Sequence, residues 1–235
     1  MDLVVAGVRE AVTLLFAGDR EVWSILLLSL QVSGTATLLT LALGIPSGAV
    51  LGLTRFPGRT LLVSAVNTGM GLPPVVVGLF VTLLLWRSGP FGAWETLYTP
   101  AAIVMAQAVI ATPIVTGITV AAVQNVPAPF RLQILGLGAS RVQMVWVVLR
   151  EARLPMLAAI MAGFGGIISE IGASMMVGGN IKGQTRTLTT AMVLETGKGN
   201  FDVAIALSIL LLTLVFLVNW LLTVLQQRNS VEGRR

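Results

Sequence analysis

The residues best suited to chemistry lie in one stretch. From Gly178 to Thr185 the chain reads GGNIKGQT, the spacing of a phosphate-binding loop, except that Gln184 stands where such a loop needs a lysine to meet the β and γ phosphates. With that charge missing and an apolar run just before it, the string is not expected to bind a nucleotide. The stretch also supplies Lys182 and Arg186 together with the hydroxyls of Thr185, Thr187, Thr189 and Thr190. A dianion shedding water needs positive charge and neutral donors together, and transport needs that binding to stay weak. Thr185, Arg186, Thr187 and Thr189 are therefore candidates for an anion's path or gate. The competing reading is that the loop docks a second protein. Glu170 lies fifteen residues before Thr185, inside an apolar run, and has the wrong sign to hold an anion. A lone carboxylate is costly in hydrocarbon, so Glu170 is expected to be neutral or paired, with Arg186 or Lys182 as partners, and to help hold a gate closed. A purely structural role is its alternative.

Composition weakens other chemistries. The chain has no Cys and no His, which removes thiol nucleophiles, imidazole catalysis and the usual zinc ligands. The ten acids are scattered, so no paired-carboxylate site forms, and neither a catalytic residue nor a metal site is expected. A net charge of +5 could suggest nucleic acid, but the basic residues fall between apolar runs and do not gather on one soluble face.

The elements that must position the stretch are membrane spans. Of the 235 residues 55% are hydrophobic and 11% charged, against about 25% charged in an ordinary soluble domain. A bilayer crossing takes about 20 mainly apolar residues, and five stretches qualify: roughly 22–53, 60–86, 100–123, 154–177 and 203–225. Pro46 gives the first a reason to bend, while Asn67 with Pro73 and Pro74 must interrupt the second. Residues 2–17 carry Arg9 and Glu10 in their middle, unlike a cleavable signal, and are expected to form an interfacial amphipathic helix with Leu3, Val4, Val8, Val12 and Leu15 on its apolar side. A sixth crossing by that segment is the alternative. The chain thus divides into an interfacial helix at 1–21, a transmembrane domain at 22–226 and a tail at 227–235.

Charge orients the spans. One side would hold Arg55, Arg59, Arg131, Arg141, Arg150, Arg153 and the arginines of the tail against only Glu151 and Glu232, whereas the other mixes basic and acidic residues nearly evenly. The positive side is expected to face the cytoplasm, with the N-terminus outside and the C-terminus inside. Two stripes of small residues, Gly44, Gly48 and Gly52 in the first span and Ala162, Gly166, Glu170 and Ser174 in the fourth, could let helices approach closely. Packing within one subunit and contact between two copies both fit them.

The largest connection on the positive side reads NVPAPFRLQILGLGASRVQMVWVVLREARLP. Pro127 and Pro129 break the chain, a short amphipathic helix bearing Leu132, Leu135 and Leu137 ends near Gly136 or Gly138, and a second helix starts near Ser140 as its N-cap. Such a knob over 127–150 could fit a groove on a soluble partner; a plain loop is the alternative. The run Leu137, Gly138, Ala139, Ser140, followed by Arg141 and by Val148 in the aliphatic place, resembles the coupling-helix motif of bacterial ABC importer permeases. Leu132 and Gln133 depart from it, and Pro155 comes about one turn late. GLPPVVVGL at 71–79, RSGPFG at 87–92, SEIGASMMVGGNIKGQTRTLTTAM at 169–192 and ETGKGNFDVAIAL at 195–207 are similar to segments of oxyanion importers. Tungstate permeases come first among these, with molybdate and sulfate permeases behind. The resemblance implies an all-α integral membrane protein of the type I ABC importer permease fold. It also implies a permease homodimer, cytoplasmic ATPase subunits that bind the ATP, and an extracytoplasmic oxyanion-binding protein. No nucleic acid enters that picture, and the lipid bilayer is the remaining partner. A self-sufficient secondary transporter and a non-transporting membrane scaffold are the rivals from other classes.

Overall fold

The computed structural model describes residues 7–10, 13 and 19–232. The expected interfacial helix over 2–17 therefore falls largely outside the described residues, including Leu3, Val4, Val12 and Leu15. Residues 7–10 and 13 are helical, and Gly7 sits so close to Ile205 that a Cβ would lie 2.3 Å from its side chain.

Helix α1 (Arg20–Leu53) is started by Asp19, whose carboxylate accepts from the Glu21 and Val22 amides. It runs through Pro46 without ending, and its 34 residues reach about 50 Å, more than the ~30 Å of hydrocarbon needs. Helix α2 (Arg59–Met70) and α3 (Pro74–Leu85) form the second span, with an angle of 105° between them. The break falls at the proline pair: Pro74 opens α3, where its missing N–H costs nothing, and Pro73 is held extended by the proline after it. The third span is α4 (Pro100–Gln124). Next come α5 (Ala128–Gly136) and α6 (Arg141–Glu151), then α7 (Arg153–Ile168) and α8 (Gly172–Gly178), bent by 56° at residues 169–171. Helix α9 (Leu188–Lys198) precedes α10 (Phe201–Glu232), the last span. Among the described residues three helices are thus long and apolar enough to cross a membrane unbroken, and the number rises to five with each bent pair counted as one span.

The order of contacts gives the directions. Gly44, Gly48 and Gly52 of α1 meet Val115, Thr119 and Val123 of α4 in the same order, so these two helices run parallel. Gly163 faces Val115 and Gly178 faces Ile103, so α7 and α8 run against them. The α2–α3 pair starts where Arg59 Nε donates to Leu51 O and ends where Leu85 packs with Ala102 and Ile103, which carries it from one end of the bundle to the other. One end holds Arg55, Arg59 and the α5–α6 pair, and is called the basic end below. The opposite end holds the starts of α1 and α10, joined through Val22, Ile25, Leu207 and Leu210.

The glycine stripe of the first span is consumed within the chain. A Cβ at Gly48 would lie 2.6 Å from the Thr119 Cβ and one at Gly52 2.3 Å from Val123 Cγ2, so α1 and α4 touch through their backbones. This removes the stripe as a surface between copies. The second stripe does not survive as one face, because the helix breaks inside it. Ser174 is buried, whereas a Cβ at Gly166 would meet nothing within 4 Å.

Candidate functional site

At the basic end the knob is built by its own capping groups. Helix α5 closes through bonds from the Leu137 amide to Gln133 O, Gly138 to Leu135 O and Ala139 to Ile134 O. Gly138 has φ +90°, a conformation that glycine adopts without strain. Ser140 then opens α6 with a capping box: its hydroxyl accepts from the Gln143 amide, and Gln143 Oε1 accepts from the Ser140 amide. Val148 is fully buried against Ala122, Val123, Val126 and Ala152, which anchors α6 to the end of α4 and explains the aliphatic place in the motif. The opposite face is open. Leu137 is 82% exposed and Val142 80%, with Leu132 and Trp146 beside them and the Arg150 guanidinium 5.5 Å from the Trp146 ring. Ser140 and Arg141 are exposed and Ala139 half-buried. The structure therefore brings Leu137, Gly138, Ala139, Ser140 and Arg141 together at one projecting turn.

The second region is the break in the fourth span. Ending α7 at Ile168 frees carbonyls in an apolar bundle, and each needs a donor. Gln107, buried in the middle of α4, donates from Nε2 to Ile167 O at 3.2 Å and to Ser174 Oγ at 3.4 Å. Thr189 Oγ1 donates to Glu170 O at 3.2 Å. Glu170 turns its carboxylate onto the new helix, Oε1 accepting from the Ala173 amide at 3.0 Å. The expected pairing of Glu170 with Lys182 or Arg186 is thus not what forms. Both cations pair with Glu21 of α1, Arg186 Nη1 lying 3.3 Å from Glu21 Oε1. The physical reason is reach: the backbone amide of Ala173 is three residues away, and the loop carries its cations to the N-terminal end of α1.

The threonines are framework. Thr185 is buried, donates to Gly178 O at 2.6 Å and accepts from the Ile181 amide at 2.9 Å, so one hydroxyl closes the loop from 178 to 185. The amides of Gln184, Thr185 and Arg186 converge on Ile181 O, so these three are turned inward and do not cradle a phosphate. Thr187 caps α9 in a box with Thr190, and its hydroxyl lies 3.1 Å from that of Thr189. The Leu188 amide donates to Ser29 Oγ of α1. Of the residues expected along the path or gate, Thr185, Thr187 and Thr189 are buried, whereas Arg186 and Glu170 are half-buried. Beyond the loop, the Glu195 carboxyl is held below its ordinary value by hydrogen bonds from Asn200 and Lys198, with smaller pulls from the charges of Lys198 and Arg186. No group of three or more potential metal ligands occurs among the described residues.

Sequence reasoning missed Gln107, Ser29 and Glu21. Gln107 was visible as a lone amide in mid-helix, where a polar side chain demands a partner. Glu21 and Ser29 left no such signal, because their partners lie more than 150 residues away.

A bundle of broken apolar spans with an exposed apolar knob at its arginine-rich end defines a membrane protein with a surface suited to a second protein. The chain belongs to the family of binding-protein-dependent transport system inner membrane components, whose model matches residues 44–231. It is 43% identical over 201 residues to a probable anion ABC transporter permease protein of Haloferax volcanii, covering 83% of this chain and 87% of that one. A tungstate uptake system permease protein of Peptoclostridium acidaminophilum is 36% identical over 227 residues, covering 97% of this chain and all of the other. Among solved structures, a chain of the MetNI methionine ABC transporter in an inward-facing form matches with a TM-score of 0.72 at 20% identity, over 89% of this chain and 94% of that one. The fold is accordingly that of the type I ABC importer permeases, and the protein is a multi-pass component of the inner membrane. Membership in a binding-protein-dependent family removes the secondary transporter and the scaffold.

Proposed function

We propose that this chain is the membrane-spanning subunit of an ATP-driven importer of a tetrahedral oxyanion, tungstate foremost. It would expose a central path alternately to each side while a partner ATPase binds and hydrolyses the ATP. The observation that carries the reading is the knob, a projecting turn of exposed apolar residues on the arginine-rich end of a membrane bundle. Large apolar side chains left open in this way mark a surface made for another protein. By the positive-inside rule that end faces the cytoplasm, with the N-terminus outside, so the knob would meet the ATPase there through Leu137, Gly138, Ala139, Ser140 and Arg141. An extracytoplasmic oxyanion-binding protein would deliver the anion to the opposite end.

The choice of tungstate is supported by the 36% identity that spans all of the Peptoclostridium permease. The path or gate is assigned to the broken fourth span and its loop. Glu170 and Thr189 hold the break, Thr185 and Thr187 stiffen the loop, and Arg186 presents charge. Two copies are expected to enclose the path, with the open face near Gly165 and Gly166 available for the contact. The test is reconstitution with the ATPase and binding protein. Uptake of tungstate that survives an excess of sulfate and depends on ATP supports the reading. Uptake without an ATPase, or recovery of the active chain as a monomer, would overturn it.

A further inference from the structure

The oxyanion reading leaves Glu21 without a role, although it holds both cations of the loop. Glu21 Oε2 pairs with Lys182 and Oε1 lies 3.3 Å from Arg186 Nη1, so one carboxylate faces two positive groups. The backbone that carries the cations is held: Thr185 and the three amides on Ile181 O fix the turn between them. The Arg186 side chain is only 15% exposed, and its Nε is buried without a partner, an idle donor on a charged group. Beside it opens a groove of about 230 Å³ lined by Ser24, Leu27, Leu28, Gln31, Gln184 and Arg186, with room and neutral donors for a small tetrahedral anion.

We propose that Glu21 is an internal stand-in for the transported anion, occupying Lys182 and Arg186 until a tetrahedral oxyanion dianion displaces it. The inference rests on the oxyanion reading above. Charge favours the exchange: two cations share the single charge of Glu21, whereas a dianion matches both. The other carboxylate in reach of Arg186, Glu195, is already paired with Lys198. Glu21 also keeps a favourable place when released, because it lies in the first turn of α1, where the helix dipole stabilises an acid. The pair with Lys182 is largely solvent-exposed, so it is weak and exchanges readily. A competitor of this kind would keep binding weak enough for release and would discriminate against monoanions such as chloride.

The chain has only two lysines, Lys182 and Lys198, which makes amine acylation read by mass spectrometry a direct probe. Lys198, paired with Glu195, is the internal control. In the complete reconstituted transporter, Glu21→Gln is expected to raise acylation of Lys182 relative to Lys198. Sodium tungstate should then protect Lys182 in the variant at roughly one tenth of the concentration needed in the wild type. Sodium chloride at matched ionic strength should not protect. Glu21→Asp, which keeps the charge on a shorter arm, should fall between the two and serves if Glu21→Gln does not assemble. Equal tungstate midpoints in wild type and variants, or equal protection by chloride, would overturn the proposal. Tungstate uptake in the same vesicles separates the two readings: uptake without protection overturns the stand-in alone, and loss of both overturns the oxyanion reading with it.

Discussion

Both the knob at 128–151 and the loop at 178–187 are glycine turns between helices, yet they treat their side chains in opposite ways. At the knob Gly138 sits in open space with φ +90°, the polar groups are used up in capping α5 and α6, and the apolar residues Leu137 and Val142 face outward. In the loop the hydroxyls of Thr185 and Thr187 point inward, each with at least two partners, and the charged ends of Lys182 and Arg186 reach another helix. An apolar surface left exposed gains free energy only when something covers it, so the knob is built for a partner. A buried hydroxyl loses free energy once it is unpaired, so the loop is built to stay in place. A transporter needs both, one part that receives force from outside and one that holds a shape while the rest moves.

The sharpest way to break the contrast is Gly138→Leu. Its Cβ would meet no atom within 4 Å, so the bundle should insert and keep its stability apart from about 1–2 kcal/mol of local backbone strain. Uptake should nevertheless fall to near background, and recovery of the ATPase on affinity purification should fall with it. Normal uptake and normal recovery would detach the knob from coupling. Next in size is Thr185→Val, which leaves Gly178 O and the Ile181 amide without their buried partner. A loss of about 1–3 kcal/mol is expected, read as a lower Tm in detergent together with lower uptake. An unchanged Tm would mean that the loop is not held as described. Ser140→Ala removes one exposed cap and should cost about 1 kcal/mol at most, with a several-fold weaker hold on the ATPase as α6 frays at its start. The smallest effect concerns Glu195. Its folded-state value lies below the ordinary 4.5, so its contribution is present above that pH and is lost as pH falls through the lowered value. Acid titration of the Tm should show this loss below about pH 4.5 in the wild type and a flatter profile in Glu195→Gln.

Much of this architecture is legible in the sequence. The spans at 100–123 and 203–225 match α4 and the start of α10, since continuous apolar runs of membrane length have no competing reading. The proline pair marked the break in the second span, and Ser140 marked the start of α6, because both act through their own backbone. The bend of the fourth span was not marked by a proline. It falls at Ser169–Ile171, where nothing local forbids a helix, and it persists because Gln107, Thr189 and Glu170 satisfy the groups that the break exposes.

Taken alone, the sequence determined the membrane setting, the five apolar segments and the glycine turn of the knob, all of which depend on residues within one helix or one turn of each other. Tertiary structure alone decided the partners of the charges and small residues. Glu170 goes to a backbone amide while Glu21 takes both cations, and the stripe at Gly44, Gly48 and Gly52 is spent on α4 and not on a second copy. The physical reason is range: helix periodicity and capping act over a few residues, whereas an ion pair or a backbone contact across a bundle depends on which helices become neighbours.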